Sequence, residues 1–404
     1  MSAQPSRPLT PWLGVVAVGM IAANLRPGAT SVGPALPDIR EALDMSATVA
    51  GVLTGLPGLS FAVVGAGAVW LACRAGLNRA LVIGLVAVAA GLLGRSFATS
   101  TPLFLVLSAV ALGGAAVGNV LVPAFVKRHY PHRTASLMAV YTVSLAVGAL
   151  LPGLIHPVVR EAGGWRVSLG LWGAGALVAL VPWLWLALRE RHHRGPAHSV
   201  ATSSIWSVAR SPKAVALAIF FGTQSMQAYV GFGWIPQILV DNGVTVASAS
   251  LAMAVFSAWG LPMGALAPVL ANRWPDRRPI VVACTLVLAA GWAGLLVAPS
   301  AAPYVWVSLL GISGLAFPLT LFLVTDLTRD PRITSAVSGF SQSIGYVLAS
   351  AGPFVVGALY AATGGWHVPL WFLLLTALPF LVAGWHAGKP GAVDDELARA
   401  VRPA

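Results

Sequence analysis

Arg26 stands in the middle of an apolar stretch, Trp12 to Leu36, within the run Asn24-Leu25-Arg26-Pro27-Gly28. A guanidinium donates two parallel hydrogen bonds to a planar oxyanion or carboxylate, which an ammonium cannot match. Read as one helix, the stretch spans roughly 37 Å and places Arg26 about 21 Å along it, at the depth of bilayer hydrocarbon. A cation at that depth costs at least about 2.5–3.5 kcal/mol on insertion scales, so it is expected to face a polar cavity. Pro27 removes a backbone donor and Gly28 loosens the helix, which frees backbone groups beside the charge. A charge next to a broken helix at mid-membrane is how carriers hold a solute. The competing reading is a latch that joins two helices through a buried carboxylate. No Asp or Glu lies in the middle of any other apolar segment, so an anion from outside is the better partner.

Other polar side chains inside apolar runs are few. Asn24, Thr30 and Ser31 accompany Arg26, and Asn119 is a lone amide among Gly, Ala and Val. Asn119 is either an interhelical hydrogen bond or a ligand contact. The richest run holds Gln224, Gln227, Tyr229, Trp234 and Gln237, with Gln224 and Gln227 on one helix face. Gly231-Phe232-Gly233-Trp234-Ile235-Pro236 is expected to interrupt that helix. Trp234 either stacks on a planar ligand or marks a membrane interface. Gln342 and Tyr346 are further cavity candidates, with Tyr141 comparable. His156 is the one histidine inside an apolar run, either a titrating coupling group or a structural one beside Pro157. No GxSxG, HExxH, P-loop or GxGxxG occurs, so the chain is read as a non-enzyme without catalytic residues, metal or cofactor.

These residues need a scaffold that crosses a membrane. The chain is 57% hydrophobic and 9% charged, against about 25% charged in a soluble domain. Apolar runs of spanning length recur twelve times, near 12–36, 47–71, 79–98, 102–126, 134–158, 166–188, 213–239, 247–271, 279–298, 302–326, 333–361 and 366–386. The expected fold is an all-α membrane protein of twelve transmembrane helices in two pseudo-symmetric six-helix halves. The halves are 1–188 and 213–388, joined by a linker at 189–212 and followed by a tail at 389–404. Of the 24 Lys and Arg residues, all but Arg26, Arg40, Arg95, Arg160 and Arg166 fall at the termini or in the even-to-odd loops. The positive-inside rule then puts both termini in the cytoplasm of a multi-pass inner-membrane protein, with Arg40, Arg95, Arg160 and Arg166 in loops on the other side. The net charge of +12 thus sets topology, and no nucleic-acid role is expected.

The halves repeat each other. Pro131-His132-Arg133-Thr134 matches Pro331-Arg332-Ile333-Thr334, and Gly163-Gly164-Trp165 matches Gly364-Gly365-Trp366. Leu71-Ala72-Cys73-Arg74 matches Leu270-Ala271-Asn272-Arg273, and all three pairs lie about 200 residues apart. This pattern resembles the major facilitator superfamily. The superfamily's loop between helices two and three appears as Gly67 to Arg74 and Arg79, and again as Asn272-Arg273 with Asp276-Arg277-Arg278. Cys73 and Asn272 replace its acidic residue. Two stretches are similar to the CynX/NimT group of cyanate and nitroimidazole transporters. They are Asn24-Leu25-Arg26-Pro27 with Thr30-Ser31-Val32-Gly33-Pro34, and Gly118-Asn119-Val120-Leu121-Val122-Pro123 with Val126-Lys127-Arg128.

The resemblance implies a monomeric secondary transporter for a small anionic or planar polar solute, working by alternating access. Its cavity would be lined by segments one, four, seven and ten, with Lys127 and Arg128 as gate residues. Asp326, ending segment ten, is expected to pair with one of those two cations. Protons are the candidate coupling ion, although no mid-membrane carboxylate is present to carry them. The alternative is a proton-coupled exporter of neutral or hydrophobic compounds with Arg26 as a latch. Gly148 with Pro152-Gly153 resembles the segment-five motif of drug–proton antiporters and keeps that alternative open.

Overall fold

The computed structural model describes residues 11–189 and 205–401. Much of the expected linker, 190–204, and the last three residues of the tail lie outside the described residues. Helices make up the described chain, and no strand occurs among the described residues. Segment one is three helices in series, α1 Pro11–Leu25, α2 Pro27–Thr30 and α3 Val32–Ala42. Segments two, three and four are α4 Ala47–Ala75, α5 Leu77–Ser96 and α6 Thr101–His129. Segments five and six form one helical run, α7 Thr134–Arg189. Gly164 turns it, with φ 77° and ψ 175°, a conformation closed to residues with a side chain. Segment seven is α8 Pro212–Asp241, and segment eight is α9 Val246–Ala258 with α10 Gly260–Arg273. Segments nine and ten are α11 Arg278–Val297, then α12 Pro303–Ser313 with α13 Ala316–Asp326. Segment eleven is α14 Pro331–Thr363, and segment twelve is α15 His367–Leu375 with α16 Ala377–Ala387. A last helix, α17 Val393–Val401, follows.

Eleven stretches of the described chain are long and apolar enough to cross a membrane, and the one that contains most of α7, the 58-residue Pro131–Leu188, is long enough to cross twice. The fold is the expected twelve-helix one. Helix starts follow local chemistry. Ser211, Thr245 and Asp330 cap α8, α9 and α14 by accepting backbone N–H bonds from Ala214, Ser248 and Arg332. Proline occupies the first turn of α6, α8, α11, α12 and α14, where its missing donor is harmless.

The chain clusters into two compact units. Among the described residues the first comprises 11–31 and 63–189, and the second comprises 32–62 and 205–401. The first unit's core is Ala, Val and Leu from α1, α5, α6 and α7, with Phe125 and Trp183 as its large buried rings. Trp183 Nε1 donates to the Ala17 carbonyl at 3.0 Å and ties segment six to segment one. In the second unit, α14 runs along α8, with Gly345 against Phe221 and Gly222. There α3 meets α8 backbone to backbone, since a side chain at Gly33 would run into the Phe232 carbonyl.

Two expectations are corrected. The Gly231–Pro236 run does not interrupt segment seven, because α8 continues unbroken through Pro236 to Asp241. Its glycines serve close packing instead: Gly231 receives the Phe256 ring and Gly233 receives Thr54. Arg95 is not a loop residue. It lies on the last turn of α5 and is fully buried. Arg40 on α3, and Arg160 and Arg166 within α7, are helical too.

Candidate functional site

In the first unit the interruption of segment one is real. Arg26 sits between α1 and α2 at φ −99° and ψ −35°, as the residue before the Pro27 turn. Its carbonyl accepts from Ala29 N at 3.0 Å, Thr30 N at 3.1 Å and Thr30 Oγ1 at 3.2 Å. The Arg26 side chain is half-buried, and no carboxylate among the described residues lies within ion-pair distance of it. Asn24, also half-buried, donates to the Met20 carbonyl at 2.8 Å, and its side-chain oxygen lies against Gly175. Thr30 is buried and turned back to its own helix.

Asn119 and Tyr141 are brought together. Tyr141 Oη donates to Asn119 Oδ1 at 2.9 Å, while Asn119 Nδ2 donates to the Ala115 carbonyl at 3.1 Å. His156 is buried and hydrogen-bonded through Nδ1 to Ser168 Oγ at 2.9 Å, within the α7 run. Lys127 and Arg128 are exposed at the end of α6.

Arg95 was missed by sequence reasoning. Its Nη1 donates to the Gly28 carbonyl at 2.9 Å and its Nη2 donates to Ser31 Oγ at 2.8 Å. Its guanidinium carbon lies 5.9 Å from the centre of the Phe104 ring. A signal was available in the spacing. Leu81, Leu85, Val88, Leu92 and Arg95 recur every three or four residues, and all five are buried on one face of α5. Arg166 closes the same end by donating to the carbonyls of Ser96 and Ala98 at 2.9 and 2.8 Å.

In the second unit the glutamines of α8 have different surroundings. Gln227 uses both ends of its amide internally: Oε1 accepts from Trp292 Nε1 at 2.7 Å, and Nε2 donates to Thr376 Oγ1 at 2.6 Å. Gln224 is buried, and its Oε1 has no partner among the described residues. Tyr346 stacks on Phe61 at 5.4 Å and meets Phe221 edge-on at 5.1 Å, and Phe221 lies 5.7 Å from Phe317. The Tyr229 ring packs beside Gly58, next to the Tyr346 carbonyl. Gln342 donates to Ser338 Oγ at 2.9 Å.

Trp234 is fully buried, and its ring packs against those of Tyr360 and Trp366. A carboxylate that sequence reasoning passed over organises this end: Asp241 accepts from Gln237 Nε2 at 2.6 Å, Trp366 Nε1 at 2.8 Å and Tyr360 Oη at 3.0 Å. Asp326 pairs with Arg277 at 2.9 Å, within the second unit. The loop before α11 explains the pairing, because Arg277 is held there by the carbonyls of Ala271 and Pro275. In the same loop, hydrogen bonds from Arg278 pull the Asp276 carboxyl down to about 2.

Comparisons with known proteins agree with this architecture. The Major Facilitator Superfamily model matches residues 13–353. The chain is 37% identical to the uncharacterized transporter YycB of Bacillus subtilis (strain 168), over 94% of each chain. It is 33% identical to the 2-nitroimidazole transporter of Escherichia coli (strain K12), over 93% of this chain and 95% of that one. It is 29% identical to the cyanate transport protein CynX of the same organism, over 90% and 94% respectively. Among solved structures, a bacterial homologue of the human lysosomal transporter Spinster superposes with a TM-score of 0.77 at 15% identity, over 98% of this chain and all of that one. With the helix count, the interrupted first segment and these relatives together, the chain belongs to the Major Facilitator Superfamily and, within it, to the CynX/NimT family of transporters.

Proposed function

We propose that this protein is a secondary transporter of a small anionic or planar polar solute, held at Arg26 and moved by alternating access across the cytoplasmic membrane. The observation that carries the reading is Arg26 itself: a half-buried guanidinium at a helix break, with no carboxylate partner among the described residues. A cation kept inside a membrane segment without a counter-charge is stabilised by an arriving anion. Relatives named for cyanate and for 2-nitroimidazole support a small planar solute. Asn24, Thr30, Asn119 and Tyr141 are the accompanying groups proposed in the first unit. Gln224, Tyr229, Trp234, Gln342 and Tyr346 are those proposed in the second, with Gln227 as the brace that holds their helix to Trp292 and Thr376. Lys127, Arg128, His156 and Asp326 are proposed for gating and coupling. Both termini are proposed to be cytoplasmic, from the distribution of basic residues. The protein is proposed to act as a monomer, with protons as the candidate coupling ion.

A second reading has its own support. The rings of Phe61, Phe221, Phe317 and Tyr346, with the open Oε1 of Gln224 three residues along α8 from Phe221, suit a neutral planar compound. On that reading the protein is a proton-coupled exporter of neutral compounds and Arg26 is a latch.

Ligand-induced thermal stabilisation of the detergent-purified protein separates the two. Wild type and Arg26→Ala are screened with cyanate, nitrite, small carboxylates and nitroimidazoles. A ligand at 100 times its dissociation constant adds about 2.7 kcal/mol, which is read as a rise in melting temperature. An anion that stabilises wild type and not Arg26→Ala supports the first reading. Equal stabilisation of both proteins by neutral compounds only would support the second.

A further inference from the structure

Arg95 has no place in the reading above, yet it is the most deeply buried cation among the described residues, at 0% exposure. Its two hydrogen bonds go to neutral acceptors, the Gly28 carbonyl and Ser31 Oγ, and its Nε has no partner. No carboxylate among the described residues lies within ion-pair distance. A guanidinium so placed carries a full desolvation cost with no opposite charge to offset it. An apolar side chain of similar length would fill the same space at the end of the Leu81–Leu92 face.

Both acceptors belong to one turn. Gly28 lies within α2 and Ser31 caps its end, and that turn holds Arg26, whose carbonyl is tied down by Ala29 and Thr30. Arg95 therefore grips, from α5, the short helix that carries Arg26 at its start.

We propose that Arg95 is a positioning residue for the site at Arg26: it fixes the Pro27–Ser31 turn, and its unneutralised charge biases that site towards anions over neutral solutes. The proposal rests on the reading of Arg26 as an anion site. The bond geometry belongs to Arg95, and so does the charge. Lysine in its place would keep the second and weaken the first, whereas methionine would remove both.

The test uses the full-length protein in detergent, with Arg95→Met, Arg95→Lys, Ser31→Ala and, as a control, Arg26→Ala. Two quantities are read: amide hydrogen exchange across residues 27–34, and the ratio of affinities for cyanate and for 2-nitroimidazole. Charge-assisted hydrogen bonds are each worth about tenfold or more in an equilibrium. Arg95→Met is expected to speed exchange in 27–34 by about tenfold or more and to lower the cyanate-to-nitroimidazole ratio by about tenfold. Arg95→Lys is expected to keep that ratio, while Ser31→Ala speeds exchange by less than Arg95→Met. Unchanged exchange in Arg95→Met would overturn the proposal, as would a parallel loss of both ligands in a folded variant. Should Arg95→Met fail to fold, Ser31→Ala and Arg95→Lys decide by the same two quantities. If cyanate does not bind wild type while 2-nitroimidazole does, the anion reading of Arg26 fails and this proposal fails with it. If cyanate binds wild type and not Arg26→Ala, and the Arg95 variants keep both quantities, only the proposal for Arg95 is lost.

Discussion

A buried amide whose two ends are both engaged is a structural group before it is anything else. Gln227 bridges Trp292 on α11 and Thr376 at the start of α16. Gln227→Ala leaves the Trp292 N–H without its acceptor, a loss of about 1–3 kcal/mol. A lower melting temperature with an unchanged order of ligand preference is expected, and a change in ligand order at constant melting temperature would make Gln227 a contact residue. Gln224, one turn away with an open Oε1, is the better candidate for a contact on this helix. Sequence reasoning could rank neither glutamine over the other. Both lie on one helix face, and the difference comes from neighbours on α11 and α16 that periodicity does not reveal. Arg26 was legible because a charge inside an apolar run is conspicuous. Arg95 was overlooked although the Leu81–Leu92 spacing carries it onto the buried face, because a charge in the last turn of an apolar run reads as a loop residue.

Proline and glycine had two meanings at the scale of the helix, and only one of the two stretches was read correctly. Asn24 to Gly28 breaks its helix, whereas Gly231 to Pro236 does not. Proline in a membrane helix is tolerated where neighbours satisfy the freed carbonyls, so the motif alone does not predict a break. What the glycines of α8 provide is room. Thr54 occupies the space a side chain at Gly233 would need, and the Phe232 carbonyl occupies that at Gly33. Gly233→Val is therefore expected to lower stability by about 1–3 kcal/mol through overpacking, and Gly33→Val by at least as much because backbone cannot rotate aside. Melting curves of the two variants check this, and wild-type values for Gly33→Val would show that α3 does not pack as described.

A pH effect belongs to the loop before α11. Arg278 holds the Asp276 carboxyl at about 2, below its ordinary 3.8. The stabilisation from that contact is present above the unfolded carboxylate range and is lost as pH falls through about 2. The melting difference between wild type and Asp276→Asn is expected to be flat above about pH 4 and to vanish towards pH 2. A difference that grew on acidification would contradict the assignment.

Across the whole molecule, twelve spans, short loops and the repeat were all readable, because bilayer thickness imposes a length that composition records directly. The role of the C-terminal tail was not. Helix α17 is short and polar, but its acidic first turn lies where the helix dipole favours negative charge. Those acids bind within the second unit: Glu396 accepts from Ser211 Oγ at 2.6 Å and Lys213 N at 3.0 Å, and Asp394 accepts from the backbone of Arg329 and Asp330. Lys213 answers with bonds to the carbonyls of Pro390 and Gly391. Glu396→Ala is expected to cost about 1–2 kcal/mol by leaving the start of α8 unsatisfied, seen as a lower melting temperature and greater protease access to the tail.

The packing of residues 32–62 with helices of the second unit was also beyond reach. Pairing between distant helices leaves no local trace. Solute movement itself is the most direct test of the proposed activity. Purified wild type, Arg26→Lys and Arg26→Ala are reconstituted into liposomes loaded with unlabelled cyanate, and entry of labelled cyanate is followed by exchange. Exchange by wild type, reduced exchange by Arg26→Lys and none by a folded Arg26→Ala is the expected result. Exchange by Arg26→Ala at the wild-type rate would contradict the assignment of the anion to Arg26.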